Sequence, residues 1–249
     1  MDRAFFASLS TLARTAIAAE MVVGLNADNK DLDAYDPVTE ADRAAERALR
    51  QAIETAFPEH GIWGEEYGPV REGAAVQWSI DPVDGTRALV CGLSSWAVLV
   101  GLIVDGEHVA GMIDLPALDE TVLAIDGVTT RNGVTVRTSG CSRLAEARLS
   151  TTDPYLFADP APFERVRSAA RLTRYGLDAL AYARVATGDL DLVIESGLKP
   201  HDYDALVAVV RGAGGVIGNW AGGGNLSGGD VVAAASRTLY DEAISLLAE

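Results

Sequence analysis

Four apolar segments in the middle of the chain each have the composition of a buried β-strand. They run from Val76 to Ile80, from Trp96 to Val104, from Val109 to Ile113 and from Thr121 to Ile125. Asp105-Gly106 separates the second segment from the third, and this dipeptide favours the tight turns of β-hairpins. The block therefore predicts a sheet that is at least partly antiparallel.

Helical patterns precede and follow this block. Apolar residues recur at helical spacing from Phe5 to Ala16, which predicts a first amphipathic helix. A second helix is predicted from Thr39, where Thr39-Glu40-Ala41-Asp42 resembles a capping box, to Phe57-Pro58. Further along, we expect helices near Pro162 to Leu172, from Leu177 to Thr187, from Asp202 to Arg211 and from about Leu239, a strand from Leu190 to Ile194, and a Gly-rich strand pair.

The order of these elements indicates a layered protein with two lobes. Its 249 residues, 49% of them apolar, can form one large or two modest domains. Helices come first, then a largely antiparallel sheet, then a half in which helices and strands alternate, so the fold class is mixed α/β (α+β). We place the N-terminal lobe at residues 1–136 and the C-terminal lobe at residues 137–249.

The charge of the chain limits its partners. Thirty-six acidic and twenty basic residues give a net charge of -16, which repels nucleic-acid phosphates and anionic lipids. No segment approaches the roughly 20 apolar residues that a membrane helix needs. Cys91 and Cys141 form neither a disulfide framework nor a zinc-binding pattern, and as lone cysteines both are expected to be small core residues. We therefore expect a cytoplasmic protein that binds neither nucleic acid nor membrane.

Two aspartates follow the first apolar segment at a turn. The strand delivers Asp81 to its end, Pro82 is expected to stop the ladder, and Asp84 follows on a turn that Gly85 permits. The two carboxylates and the carbonyl of Val83 can then face one point, and hard divalent cations prefer such oxygen ligands. An isolated motif of this kind is also common as an ordinary surface turn.

Three more acidic groups lie in similar places. Gly64-Glu65-Glu66 follows a short apolar strand, where paired glutamates are costly unless a cation is near. Asp42 and Asp202 lie in the first turns of predicted helices, and capping, worth about 1 kcal/mol, is the alternative role for each. The N–H groups of Gly85 and Thr86 would bind an anion if they open a helix.

Taken together, these segments resemble the inositol monophosphatase superfamily. The segments that carry the resemblance, in the order of the family, are Asp36-Pro37-Val38-Thr39-Glu40-Ala41-Asp42, Gly64-Glu65-Glu66, Asp81-Pro82-Val83-Asp84-Gly85-Thr86 and Asp202 followed by Gly212-Ala213-Gly214-Gly215. The resemblance implies a layered αβαβα sandwich of the inositol monophosphatase and fructose-1,6-bisphosphatase type. It also implies a magnesium-dependent, lithium-sensitive phosphatase that forms a homodimer.

Within the superfamily, the chain is most similar to histidinol-phosphate phosphatases. The similar segments are Thr86-Arg87-Ala88, Cys91-Gly92-Leu93, Arg174-Tyr175-Gly176-Leu177-Asp178, Ala181-Tyr182-Ala183, Asp191-Leu192-Val193-Ile194-Glu195 and Gly197-Leu198-Lys199-Pro200. The chain departs from that branch at His201, where Tyr is common, and at Tyr203-Asp204, where small or aliphatic residues are usual. These departures flank a candidate metal ligand and concern the substrate more than catalysis.

The resemblance assigns metal and catalytic roles to individual residues. The implied ligands of two Mg²⁺ ions are Glu65, Asp81, the carbonyl of Val83, Asp84 and Asp202. Glu65 would also orient the attacking water with the hydroxyl of Thr86, and Asp42 would support a third ion through water. Two cations about 3.5–4 Å apart can activate a water molecule and stabilise the leaving oxygen. Manganese could substitute for magnesium in such an oxygen-rich site.

The resemblance also places a substrate-binding region. The expected substrate-binding residues are Asp84, Gly85, Thr86, Gly176, Asp178, Glu195 and Asp202. Asp178 and Glu195 together suit a cationic amine better than a neutral polyol, although Asp178 could also simply start a helix. L-Histidinol phosphate, a small phosphate monoester of histidine biosynthesis, carries such an amine. The alternatives are an enzyme for inositol 1-phosphate or another small sugar or polyol phosphate, and a regulatory protein without catalysis.

Overall fold

The predicted helices and strands are present in the structure, and several of their boundaries are shifted. The structure is a computed structural model that describes residues 2–23, 27–30 and 37–249. Its helices are α1 (Arg3–Val23), α2 (Glu40–Ala56), α3 (Thr86–Val90), α4 (Ala161–Ala169), α5 (Ala179–Ala186), α6 (Pro200–Gly212) and α7 (Arg237–Leu247). Its strands are β1 (Ala27–Asn29), β2 (Pro37–Thr39), β3 (Gly61–Gly64), β4 (Gly68–Val70), β5 (Val76–Asp84), β6 (Ala97–Val104), β7 (Glu107–Leu115), β8 (Glu120–Ile125), β9 (Val128–Arg131), β10 (Val134–Thr135), β11 (Arg148–Thr151), β12 (Leu172–Tyr175), β13 (Leu192–Glu195), β14 (Val216–Gly218) and β15 (Val231–Ala234).

Two large sheets form the framework. The first has eight strands in the order β10-β9-β8-β7-β6-β5-β3-β4, and only the β3–β5 pair is parallel among its described strands. The second has five strands in the order β12-β11-β13-β15-β14, with β11 parallel to both of its neighbours. The hairpin at Asp105-Gly106 joins β6 to β7, and both turn residues have positive φ angles, 49° and 82°. The predicted antiparallel sheet is therefore confirmed.

Side-chain alternation along β6 places an apolar core on each face of the first sheet. Val98 and Val100 point into a core shared with α1 and α2, whereas Ala97 and Leu99 point into a core shared with α5 and α6. A third core joins the second sheet to α4 and α7. The layers are therefore helix, sheet, helix, sheet and helix, as the αβαβα prediction requires. The lobe boundary at residues 136 and 137 stays a prediction.

Two of the predicted element boundaries are wrong. The helix predicted to reach Leu172 ends at Ala169, because Leu172 starts β12 and pairs in parallel with Arg148. Pro82 does not end β5, because the pairing with β6 is interrupted between Asp81 and Asp84 and resumes at the latter residue. An irregularity of this type lets a strand pass a residue that cannot donate to the ladder.

The placement of the cysteines also corrects an expectation. Cys91 is exposed, at the end of α3, and Cys141 is half-buried in the loop after β10. Neither is a core residue, and both are free thiols. The expectation failed because the first follows a helix of only five residues that places it on the surface.

Helix α6 packs unusually close to the first sheet because two glycines face it. Gly101 and Gly111 are opposite each other in β6 and β7. A Cβ atom at Gly101 would lie 3.0 Å from the backbone nitrogen of Ala205, and one at Gly111 would overlap its carbonyl oxygen. This close approach sets the height of α6 above the sheet, and α6 carries Asp202.

We expect Gly111→Ala to lower the free energy of unfolding by about 2 kcal/mol or more, because the new methyl group meets rigid backbone. The helix must move away from the sheet, so activity should fall as well. Thermal unfolding and phosphate release would measure both effects. Gly73→Ala is the matched control, since nothing lies within 4 Å of its Cβ position and its φ is not positive. Equal stability of the two variants would contradict the packing argument.

Candidate active site

A cavity of about 240 Å³ lies where α3, α5 and α6 meet the ends of β5 and β13. Carboxylates dominate its lining. The acidic lining residues are Glu65, Asp81, Asp84, Asp178, Glu195 and Asp202. Among the described lining residues the only cationic side chain is that of Arg87. The cavity therefore has a strong excess of negative charge.

Three of these carboxylates form a compact centre. Asp81, Asp84 and Asp202 each contribute one oxygen to a group whose atoms lie within 4.8 Å of one another. The first two come from the end of β5 and the third from the first turn of α6. Each carboxylate accepts a hydrogen bond from a backbone N–H group. The donors are Val83 for Asp81 at 3.0 Å, Ala179 for Asp84 at 2.7 Å and Lys199 for Asp202 at 2.6 Å. The backbone thus fixes all three side chains.

The environment of this centre favours the binding of a cation. Burial and the neighbouring carboxylates raise the pKa of Asp81 and of Asp84 well above the ordinary value, and burial raises the pKa of Asp202. Closely spaced, buried carboxylates are stable in their charged form only with a compensating positive charge. Their hard oxygen donors match the preference of divalent cations such as magnesium. The residues present therefore fit a metal ion.

Glu65 lies beside the centre but has a protein partner. Its carboxylate contacts that of Asp81, and the Lys30 ammonium lies 2.7 Å from its Oε1 atom and 2.9 Å from Oε1 of Glu66. Burial opposes ionisation of Glu65, yet this ammonium lowers the pKa of its carboxyl group overall. The resemblance assigns Glu65 to a metal. In the structure the side chain of Lys30 supplies its positive charge.

Asp42 caps α2 and also contacts Thr86, and its support of a third metal ion stays a prediction. Its Oδ2 atom accepts the Thr39 backbone N–H at 2.9 Å and contacts the Thr39 hydroxyl, which completes the predicted capping box. Its Oδ1 atom lies 3.0 Å from the hydroxyl of Thr86, which also lies 3.0 Å from the carbonyl oxygen of Val83. Asp42 does not line the cavity and reaches it through Thr86. Asp36, the first residue of the same motif, lies outside the described residues.

The two predicted substrate acids also line the cavity. Glu195, at the end of β13, accepts bonds from the Thr152 N–H at 2.7 Å, the Thr152 hydroxyl at 3.0 Å and the Thr151 hydroxyl at 3.3 Å. Burial raises its pKa to about 8. Asp178 precedes α5, and burial raises its pKa to about 6 although Arg87 lowers it. Asp178 is the N-cap residue of α5, as the helix-start alternative expects, but its side chain makes no capping hydrogen bond.

Not all predicted site residues line the cavity. Gly85 and Thr86 do, and Gly85 is the N-cap of α3 with a φ angle of 80°, so the two residues do open a short helix. Gly176 is exposed, donates its N–H to the Thr152 carbonyl at 2.9 Å and is absent from the lining. Its role in substrate binding stays a prediction.

Sequence reasoning missed two supporting residues. Glu46 is fully buried in α2 and accepts the backbone N–H groups of Glu66 at 2.7 Å and Tyr67 at 3.2 Å, which fixes the turn that carries Glu65. Its only sequence signal is an acid on the apolar face of a helix. Lys30 is one of only two lysines in the chain, and that rarity in an acidic protein could have drawn attention to it.

Arg184 lies away from the cavity, whereas His201 lies next to the acidic centre. Arg184 forms a two-pronged ion pair with Glu120, at 2.7 and 3.1 Å, and does not line the cavity. His201 is buried, with Nε2 3.5 Å from Oδ1 of Asp202. Its Nδ1 atom has no hydrogen-bond partner within residues 2–23, 27–30 and 37–249.

Comparisons with known proteins agree with this fold and centre. A solved inositol monophosphatase from Zymomonas mobilis superposes with a TM-score of 0.86 and 37% identity, covering 98% of this chain and 96% of that one. The sequence profile of the inositol monophosphatase family matches residues 3–249. The fold and the acidic centre thus define a metal-dependent phosphomonoesterase. The chain belongs to the inositol monophosphatase family, whose enzymes use divalent metals and act on phosphate monoesters.

Several curated relatives have names that mention a phosphatase activity. A protein of Arabidopsis thaliana named "Bifunctional phosphatase IMPL2, chloroplastic" is 42% identical over 200 residues, which are 78% of this chain and 58% of that protein. The chain thus matches little more than half of that relative's length. A histidinol-phosphatase of Chlorobaculum parvum is 32% identical over 207 residues, which are 82% of this chain and 80% of that protein.

A membrane-crossing role finds no support among the described helices. None of them has the length and apolar character that a membrane span requires. The homodimer and the cytoplasmic location stay predictions.

Proposed function

We propose that the protein hydrolyses L-histidinol phosphate to L-histidinol and inorganic phosphate with the help of Mg²⁺. The observation that carries this proposal is the pair of acids, Asp178 and Glu195, that lines the cavity in addition to the three-carboxylate centre. A buried carboxylate is tolerated when a cationic partner pairs with it. A substrate with an ammonium group provides that partner, whereas a neutral polyol does not. The name of the Chlorobaculum parvum relative supports the same substrate.

The residues that would hold the metal ions are Asp81, Asp84, Asp202, Glu65 and the carbonyl of Val83. When bound, two or three Mg²⁺ ions would supply activation of water and stabilisation of the leaving oxygen. Mn²⁺ is an alternative ion for oxygen ligands. This arrangement requires Glu65 to exchange the Lys30 ammonium for a metal ion, because that ammonium now lies 2.7 Å from its carboxylate.

The protein's own groups would position the water and the phosphate. The Thr86 hydroxyl has one proton and two acceptors within 3.0 Å, Asp42 and the carbonyl of Val83. When it donates to Asp42, its oxygen can accept a hydrogen bond from the attacking water, and Glu65 can hold the same water from the other side. The N–H groups of Gly85 and Thr86 would hold the phosphate.

A substrate panel tests the proposal. Phosphate release is measured from L-histidinol phosphate, inositol 1-phosphate, fructose 1,6-bisphosphate and adenosine 3′,5′-bisphosphate, with and without Mg²⁺. We expect kcat/KM to be highest for L-histidinol phosphate and activity to require the metal. A preference for inositol 1-phosphate of about ten-fold, which corresponds to about 1.4 kcal/mol, would overturn the proposed substrate. The assignment to the family would not change.

The variant Asp178→Asn separates the two leading substrates. Asparagine accepts the positive φ of 48° at this position, so the backbone should be preserved. Removing the charge should lower kcat/KM for L-histidinol phosphate by about 10-fold to 100-fold and leave inositol 1-phosphate unaffected. Asp126→Asn, at an exposed turn with a φ of 53°, is the matched control. An equal loss for both substrates would refute the amine-binding role.

The second candidate substrate is inositol 1-phosphate or another small polyol phosphate. The similarity to the Zymomonas mobilis inositol monophosphatase favours it, since 37% identity extends over 98% of the chain. His201 and Tyr203-Asp204, next to Asp202, also depart from the histidinol-phosphatase pattern. The panel decides between the two substrates.

A further inference from the structure

Tyr182 lines the cavity, and its hydroxyl group has no hydrogen-bond partner among the described residues. Tyr182 is only 2% exposed, and its ring belongs to the apolar core between the two sheets. Its hydroxyl oxygen is one of three buried side-chain atoms that make no hydrogen bond to any part of the chain that the structure describes. Burying an unpaired hydroxyl costs stability. A residue that bears such a cost at the wall of an active-site cavity is a candidate for ligand contact.

The position of Tyr182 on α5 places it near the predicted substrate acids. It lies in α5, four residues after Asp178, which is the N-cap residue of that helix. Both line the cavity, as does Glu195. The carboxylates of Glu195, Asp84 and Asp202 act on Tyr182 electrostatically. Tyr182 is therefore within electrostatic reach of both the three-carboxylate centre and Glu195.

The electrostatics determine what this hydroxyl can bind. Burial first, and then these carboxylates, raises the pKa of Tyr182 well above its ordinary value, so the group stays a neutral hydroxyl. A neutral hydroxyl offers one proton and two acceptor positions. The neighbouring carboxylates attract the proton of the Tyr182 hydroxyl, so the O–H bond points towards them. The lone pairs of the hydroxyl oxygen can then accept a hydrogen bond from a positively charged donor. An ammonium or a ring N–H group of a ligand is such a donor.

Glu195 is positioned to bind the same cation as Tyr182. Three hydrogen bonds, from Thr151 and Thr152, already orient the carboxylate of Glu195 and leave about one of its four acceptor positions. One acceptor on Glu195 and one on Tyr182 can thus receive two N–H groups of a single cation. Tyr182 belongs to neither the metal centre nor the residues that position the water.

We propose that Tyr182 is a specificity-determining residue whose hydroxyl accepts a hydrogen bond from the cationic, nitrogen-bearing part of the substrate, next to Glu195 and Asp178. The inference rests on the proposed function, since it assumes an amine-bearing phosphate ester. The subsite would then contact the substrate at three points. Asp178 and Glu195 supply negative charge, and the neutral hydroxyl of Tyr182 orients the bound cation.

The test compares Tyr182→Phe with wild type in the full-length, Mg²⁺-loaded enzyme. For L-histidinol phosphate we expect KM to rise about ten-fold with kcat changed less than about two-fold, because one hydrogen bond to a charged group is lost. For p-nitrophenyl phosphate, which has no ammonium, and for inhibition by inorganic phosphate we expect no change. The melting temperature should stay the same or rise, because the variant removes a buried hydroxyl that has no partner in the described parts of the chain.

Tyr240→Phe is the matched control. Tyr240 is equally buried, but its hydroxyl donates to the Asn219 carbonyl at 2.8 Å and lies outside the cavity. This variant should lower the melting temperature by about 2–4 °C and leave KM unchanged.

The outcomes separate this proposal from the one on which it rests. If wild type prefers L-histidinol phosphate and Tyr182→Phe leaves its KM unchanged, the Tyr182 proposal is wrong and the proposed function stands. A lower melting temperature with equal losses on all substrates shows a structural role and also overturns it. If wild type does not hydrolyse the amine-bearing ester, the proposed function fails and the amine contact of Tyr182 fails with it.

Discussion

Asp84→Asn should reduce turnover by about 10³-fold or more at saturating Mg²⁺. Asp84 is one of three carboxylates whose oxygens lie within 4.8 Å of one another, so the variant removes one of the three charges of this centre. An amide oxygen can still accept the Ala179 N–H, which is now 2.7 Å from Oδ2, so the start of α5 should stay in place. Steady-state phosphate release and a Mg²⁺ titration would measure the loss.

The structural consequences of this variant should be small or favourable. Burial raises the pKa of Asp84, so a neutral side chain should keep or increase the melting temperature of the metal-free protein. Asp105→Asn, at an exposed hairpin turn, is a control that should match wild type in both assays. Unchanged turnover in Asp84→Asn would rule out the three-carboxylate centre as the site of catalysis.

The metal-free protein should lose stability as the pH rises from about 4.5 to about 8. Glu195, with a pKa of about 8, and Asp178, with a pKa of about 6, hold protons more tightly in the folded state than in the unfolded chain. The folded state therefore binds more protons within this range, and raising the pH favours unfolding. For Glu195 alone the loss is on the order of 3–5 kcal/mol. Melting temperatures of EDTA-treated protein across this range would show it.

Glu195→Gln tests whether this residue is a main source of the pH dependence. Glutamine keeps a carbonyl oxygen for the N–H and hydroxyl groups of Thr152 but cannot ionise. At about pH 9 the metal-free variant should melt well above wild type, and near pH 5 the two should agree. Exposed Glu107→Gln is the control and should follow wild type at every pH. A wild-type melting temperature that rises with pH over this range would contradict the linkage.

Local patterns predicted most of the elements, and long-range pairing accounts for the errors. The start of α2 could be predicted because the bonds of the Thr39 capping box lie within three residues. The end of α4 could not, because Leu172 pairs with Arg148, which is 24 positions away in the sequence. Similarly, Pro82 can lie inside β5 only because β6 resumes pairing at Asp84. No local signal contains these partners.

The same distinction applies to the candidate site. Asp81 and Asp84 could be predicted together because three residues separate them on one turn. Asp202 could be joined to them only through the family resemblance, since α6 reaches them by packing on a distant sheet. The resemblance assigned a role to Glu65 but could not show its contact with the Lys30 ammonium. The orphaned hydroxyl of Tyr182 is likewise visible only when the surroundings of each atom are known.

Helix α2 supports the site at two points. Asp42 and Glu46 are four residues apart and both buried, so they lie on the same helix face. Asp42 contacts Thr86, and Glu46 fixes the turn after β3 that carries Glu65. The two groups that would position the nucleophile therefore depend on one element that opens and closes as a cooperative unit. A fluctuation that unwinds α2 removes the support of Thr86 and of Glu65 at the same time. Unwinding of α2 therefore does not produce a site in which only one of these two residues is held in place.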